Sequence, residues 1–198
     1  MGGTDTSGVS GAVLTGGAGR RMGRPKALVE VDGRAMVLRV ADALAAGGCP
    51  VVRLVGGDRR LADVTGLDMI DDLWPGEGPL GGVIAALEAV RGDVLVAACD
   101  LPDLDAATVA AVIAGGAGTV DVAVAVTTRL QPALARWNRA AQAPLAAAFR
   151  CGERSLHGAL APLRVERVAV SPAAMRNVNR PEDVGAPAEE PSDRAHRR

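Results

Sequence analysis
Apolar positions along the chain fall into short blocks whose spacing switches between strand and helix periods. "GAVLTGG" at 11–17 is a compact apolar block ending in glycines and predicts a short buried strand. "AMVLRVADALAAGG" at 35–48 puts Val37, Val40, Ala41 and Leu44 on one helical face and stops at Gly47 and Gly48. "VVRLVGG" at 51–57 reads as a second strand and "LDMIDD" at 67–72 as a third. "PLGGVIAALEAVRG" opens on Pro79, a residue suited to a first helical turn, and closes at Gly92. "DVLVAACD" at 93–100 is almost continuously apolar, the pattern of a strand buried on both faces. "DAATVAAVIAGG" at 105–116 predicts a helix with Asp105 as its N-cap. "DVAVAV" at 121–126 and "PALARWN" at 132–138 are further strands, the second expected beside "RVERVAV" at 164–170 or a neighbouring strand. "RAAQAPLAAAF" at 139–149 is helical, with Pro144 marking either its first turn or a break.

Strands alternating with helices imply right-handed βαβ units and a mostly parallel sheet covered on both faces. The expected fold class is α/β: a Rossmann-like three-layer α/β/α arrangement. In such sheets ligands sit beyond the carboxyl ends of the strands. Two signals fall at such ends. One is "VLTGGAGRRMGRPKA" at 13–27, which concentrates glycine and positive charge; the other is Asp100, which follows the apolar strand and precedes Pro102. The expected organisation is a flexible N-terminus over 1–8, one domain over 9–184 and a disordered tail over 185–198, where Pro, Ala, Glu and Arg dominate.

Composition narrows the function classes. The 198 residues suit one domain, and 48% hydrophobic with 23% charged residues suits a globular core. A net charge of -1 argues against general binding of nucleic acid or membrane surfaces, so an anionic partner must be met by local charge. The three cysteines, Cys49, Cys99 and Cys151, are widely separated, and only two histidines are present. A zinc site or disulfide framework is therefore not expected, and a reducing cytoplasm fits. No apolar run reaches the length of a membrane span.

On residue chemistry alone, each signal keeps two readings. Gly16 and Gly17 lack Cβ atoms and can let a phosphate reach backbone N–H groups, with Arg21 and Lys26 neutralising a polyphosphate. The same stretch also reads as a surface loop with solvated arginines. Asp100 can hold Mg²⁺ while phosphate and water complete its ligands, or it can be an ordinary strand-end turn residue. Asp71 and Asp72 carry the same ambiguity. Cys99 reads as a small buried hydrophobe rather than a nucleophile, His157 as packing or surface, and Trp137 as core. Arg150 and Arg154 are either anion contacts or helix-surface charges.

The combination of motifs is more specific than any part. "LTGGAGRRMGRPK" at 14–26 resembles the nucleotidyltransferase signature L-x-G-G-x-x-x-R-M-G-x-x-K. "DDLWPGEGPLGGVIAAL" at 71–87 looks like that superfamily's acidic turn and G-P-L-x-G loop, and "ACDLP" at 98–102 like its metal-binding strand end. "NVNRPEDV" at 177–184 is similar to its closing N-x-N-x-P-E-D element. Together they most resemble the molybdenum cofactor guanylyltransferase family, on a fold of nucleotide-diphospho-sugar transferase type. The resemblance implies Mg²⁺-dependent transfer of GMP from GTP to the phosphate of molybdopterin. It implies that Leu14, Thr15, Gly16 and Gly17 line the nucleotide, that Arg21 and Lys26 bind the triphosphate, that Asp72 helps hold the nucleoside, and that Asp100 binds Mg²⁺. Gly78-Pro79-Leu80-Gly81 looks like the guanine-selecting form of its loop. Other proteins of cofactor biosynthesis or molybdoenzyme maturation are implied as partners. A cytidylyltransferase on the same fold, or a non-catalytic nucleotide carrier, are the alternatives.

Overall fold
The computed structural model describes residues 8–16, 25–116, 118 and 120–178. Its centre is a seven-stranded sheet in the order β5-β4-β1-β6-β8-β7-β9. The strands are β1 (Ser10–Leu14), β4 (Val52–Val55), β5 (Met69–Ile70), β6 (Val94–Ala98), β7 (Val122–Val126), β8 (Leu130–Trp137) and β9 (Val165–Ala169). All pairings are parallel except those of β8, which runs antiparallel to β6 and β7. The mostly parallel α/β/α expectation therefore holds. The strand "PALARWN" does not pair with "RVERVAV". It inserts between β6 and β7, and β9 pairs with the far side of β7.

Helices α1 (Met36–Ala46) and α4 (Ala106–Gly115) cover one face of the sheet; α3 (Pro79–Ala89), α5 (Gln142–Arg150) and α6 (Leu156–Ala159) cover the other. Alternation along β6 explains how one strand serves both layers. Leu95 and Ala97 join the core under α1 and α4, whereas Val94 and Val96 join the core under α3 and α5. Trp137 is wholly buried. Asp105 caps α4 by accepting from Thr108 N at 2.7 Å. Pro144 falls in the first turn of α5, which follows a 3₁₀ turn at Arg139–Ala141.

Besides α6, two small elements were not expected from the hydrophobic pattern. One is α2 (Arg60–Thr65), a short helix ended by Gly66 at φ 71°. The other is the hairpin of β2 (Glu30–Val31) and β3 (Arg34–Ala35). Its turn residues Asp32 and Gly33 have φ of 51° and 76°, the conformation that favours Asp-Gly in a two-residue hairpin turn. Among the described residues no helix is long and apolar enough to cross a membrane.

The chain leaves β1 towards β4 by way of α1 on one face, then returns through α3 on the other face to β6, on the opposite side of β1. The carboxyl ends of β1 and β6 therefore flank a switch in winding direction, where an open α/β sheet has a crevice.

Candidate active site at the carboxyl ends of β1 and β6
β1 ends at Leu14, and its register continues into the next strands through the backbone. Thr15 N donates to Val55 O at 3.0 Å, and Cys99 N donates to Leu14 O at 3.2 Å. The Thr15 hydroxyl donates to Gly56 O and, at 3.2 Å, to Val55 O. This tight junction needs glycine across from it. Gly57 has φ 88°, and a Cβ there would lie 2.8 Å from Thr15 Oγ1 and 3.1 Å from Thr15 O. The result is a floor beyond the ends of β1 and β4 in which Gly16 and Gly57 are exposed and Thr15 N is bonded to Val55 O.

Asp72 stands beside that floor. Its Oδ1 accepts from Trp74 N at 2.9 Å, which shapes the turn after β5. Its Oδ2 faces Gly16: a Cβ on Gly16 would lie 3.8 Å away. The neighbouring Asp71 is instead paired with Arg59 at 2.7 Å on the exposed surface. Structure thus separates two adjacent acids that residue chemistry alone leaves alike.

On the β6 side, Lys26 Nζ donates to Asp100 Oδ2 at 2.7 Å. Both side chains are about one-fifth exposed, at 22% and 21%. Lys26 is also the single lysine among the 22 cationic lysine and arginine residues of the chain. Elsewhere the chain uses Arg for positive charge, so the amine here is a singular chemical feature. Next to Asp100, the Cys99 thiol is buried and pushed up to about 12, by burial first and by the Asp100 charge second. It is a packing residue and not a thiolate nucleophile.

The turn carrying Gly78-Pro79-Leu80-Gly81 begins α3. Gly78 has φ 95°, no side chain caps the helix, and Leu80 N donates to Arg154 O at 3.4 Å. A Cβ on Gly81 would meet the Trp74 ring at 3.4 Å, so the small residue lets the indole pack onto the helix start. Trp74 in turn lies 4.9 Å from the Phe149 ring. Arg154 is occupied within the protein. Its guanidinium lies 4.0 Å over the Phe149 ring and donates to Glu77 Oε2 at 2.6 Å and Phe149 O at 2.7 Å. Arg150 and His157 are exposed.

The structure therefore gathers Leu14, Thr15, Gly16 and Asp72 beyond the ends of β1 and β4 and pairs Lys26 with Asp100 beyond the end of β6, the β1 and β6 ends being joined through the Leu14–Cys99 backbone bond. Gly17 and Arg21 lie outside the described residues, as do Asn179 to Asp183 of the closing element. Asn177 is exposed, and Val178 N donates to Asp100 O at 3.0 Å, which brings the start of that element against the Asp100 turn. Among the described residues no three His, Cys, Asp or Glu side chains converge as a metal-binding set. One carboxylate at the site still suits Mg²⁺, which takes one or two carboxylates and fills its other positions with water and substrate phosphate.

Residues 11–172 match the family described as the MobA-like NTP transferase domain. The probable molybdenum cofactor guanylyltransferase of Opitutus terrae is 34% identical over 194 aligned residues, covering 90% of this chain and 94% of that one. The molybdenum cofactor guanylyltransferase of Cereibacter sphaeroides is 34% identical over 180 residues, covering 88% and 92%. The crystal structure of molybdopterin-guanine dinucleotide biosynthesis protein A from Archaeoglobus fulgidus superposes with a TM-score of 0.74 at 27% identity, covering 89% of this chain and 95% of that one.

Proposed function
The chain belongs to the MobA-like NTP transferase family, with the molybdenum cofactor guanylyltransferases as its relatives, and we propose that it transfers GMP from GTP to the phosphate of molybdopterin with release of pyrophosphate. The observation that carries this reading is the Lys26–Asp100 pair, 2.7 Å apart, at the switch point where Cys99 N bonds Leu14 O and β1 runs out into the exposed Gly16.

In this reaction an oxygen of the acceptor phosphate bonds to the α-phosphorus of GTP as the bond from that phosphorus to the bridging β-phosphate oxygen breaks. Pyrophosphate leaves with the electron pair. A phosphate monoester has its second pKa near 6, so the attacking group is largely a dianion at neutral pH and needs no general base. A site built around Lys26, Asp100 and backbone N–H groups, with His157 exposed elsewhere, fits that requirement. The obstacle is repulsion between anions, so the protein's task is placement and charge stabilisation.

Each residue has a part. Lys26 neutralises triphosphate oxygens. The Thr15–Gly16 backbone lies against the nucleotide, Asp72 orients the nucleoside, and the Gly78–Gly81 turn selects the base. Asp100 holds Mg²⁺, which supplies charge neutralisation on the phosphates when bound. Until nucleotide arrives, Lys26 and Asp100 neutralise each other, which keeps both in place. Gly17 and Arg21 are assigned to the triphosphate from their motif. In this reading the working domain spans 9–184, and the reaction takes place in the cytoplasm.

A thermal-shift series with GTP, CTP, ATP and UTP, with and without Mg²⁺, tests the nucleotide. A metal-dependent shift largest with GTP is expected. Equal shifts with all four would sink the guanine assignment, and a larger shift with CTP would turn it into a cytidylyltransferase. Pyrophosphate release that requires added molybdopterin tests the acceptor; nucleotide binding without any release marks a carrier.

A further inference from the structure
Lys26 and Asp100 are 74 positions apart in sequence, and the segments that carry them have little structure of their own. Lys26 sits in a three-residue 3₁₀ turn that leads into the β2–β3 hairpin, which pairs only two residues with two. A hairpin of that size is marginal by itself. Asp100 lies in the turn after β6, where Pro102 ends the strand direction. Something must hold one segment against the other for a 2.7 Å contact to persist.

Arg39 connects them. Its base is rigid, because its neighbours Met36, Val37 and Val40 on α1 are wholly buried. Its Nε donates to Pro102 O at 2.8 Å, on the Asp100 side. Its Nη1 donates to Val31 O at 3.3 Å and Asp32 Oδ2 at 3.2 Å, on the Lys26 side. Its Nη2 lies 3.8 Å from Asp103 Oδ1. Asp103 in turn accepts from Arg176 Nε at 2.5 Å, beside the Val178–Asp100 backbone bond. One guanidinium thus spans the hairpin and the Asp100 turn, and Asp103 extends the tie to the start of the closing element.

We infer that Arg39 is a positioning residue, a strap from α1 that sets the distance between Lys26 and Asp100. The inference rests on the nucleotidyltransferase reading for its effect on turnover. Its effect on the Lys26 amine does not depend on that reading. The fork matters as much as the charge: two carbonyls and two carboxylates are spread over the three nitrogens, with Val31 O and Asp32 sharing Nη1, an arrangement an ammonium cannot reproduce. Arg39→Lys keeps a positive charge near Asp32 and Asp103 but cannot bridge Val31 O and Pro102 O together.

Because the chain has one lysine, acetylation of the full protein by a water-soluble acetylating reagent reads the site directly, with the α-amine as internal reference. The expected result for both Arg39→Ala and Arg39→Lys is acetylation at residue 26 about tenfold faster than in the wild type, the change expected when one charge-assisted hydrogen bond loosens. Thermal midpoints should stay within a few degrees, and Arg164→Ala, remote from the site, should leave the rate unchanged. Turnover of GTP should fall about 10²-fold in kcat, as misplacement by about an ångström can cause, with little change in nucleotide affinity. Should Arg39→Ala fail to fold, Arg39→Lys decides. Wild-type acetylation and wild-type kcat in folded Arg39→Lys protein would overturn the strap. Failure of the wild type to turn over GTP, with residue 26 still exposed by the substitutions, would overturn the function and leave the strap standing.

Discussion
The two ends of β6 each carry an aspartate, and the two are used in opposite ways. Asp93, just before the strand, accepts from Arg136 Nη2 at 2.7 Å, from Arg136 Nε at 3.2 Å and from Arg139 N at 2.8 Å. Arg139 goes on to donate to Leu87 O and Val90 O. Those groups tie the start of β6 to the end of β8, and both oxygens of Asp93 are engaged inside the protein. Asp100, just after the strand, meets one lysine at 2.7 Å, next to the Leu14–Cys99 backbone bond. An aspartate at a strand end is therefore not a site by its position. A forked guanidinium and a backbone N–H together make Asp93 a brace, whereas the single ammonium at Asp100 engages one carboxylate oxygen.

The contrast can be broken at either end. The largest effect is expected at the carboxyl end. Asp100→Ala or Lys26→Ala should lower kcat about 10³-fold, in line with removal of a principal charge-stabilising group, with the thermal midpoint within a few degrees of the wild type. Near-normal pyrophosphate release from purified Asp100→Ala protein would remove Asp100 from the reaction. At the amino end, Asp93→Ala should do the reverse. It should cost about 2 kcal/mol in urea denaturation, because Arg136 is left partly buried without its carboxylate, while kcat per folded molecule is unchanged. A loss of kcat without a loss of stability would mean that the two ends are not separable.

The smallest effect is expected at Asp121, which precedes β7 on the same amino edge. Hydrogen bonds from the Arg164 side chain and backbone hold its carboxyl below the usual range. A depressed folded value stabilises the protein above the unfolded value, about 3.9 for Asp, and that contribution fades as pH falls through the folded one. Wild type should therefore exceed Asp121→Asn in stability by a small constant amount from neutral pH down to about 4, the difference closing below that. Arg164 is 65% exposed, so water screens the pair and keeps the amount small. A difference that grows on acidification would assign the wrong sign to the pair.

Much of the layered fold was legible because burial leaves a period in the sequence. The continuous apolar run of β6 announced a strand with both faces covered, and Asp105 announced the helix it caps. The β2–β3 hairpin carried a local signal in Asp32-Gly33, but strands of two residues are too short to show alternation. The place of β8 left no such trace. Its apolar residues say that it is buried, not which neighbours it has, and its partners β6 and β7 differ in chain separation and are joined to it antiparallel. The same limit applies within the site. By residue type and spacing alone Asp71 and Asp72 are alike, yet one is tied to Arg59 on the surface and the other faces Gly16.

By itself the sequence determined the alternation of strands and helices, the family, and the set of groups with the right chemistry: glycines at the end of β1, a lysine ten residues later, an aspartate at the end of β6. These are local properties, set by side-chain type and spacing. Only the tertiary structure decided which groups meet. The 2.7 Å contact of Lys26 with Asp100, the closeness of Asp72 to Gly16 and the span of Arg39 between two turns all join residues far apart in the chain. Such contacts depend on sheet order and on which face α1 covers. They are fixed by packing the whole sheet, and no window of sequence contains them.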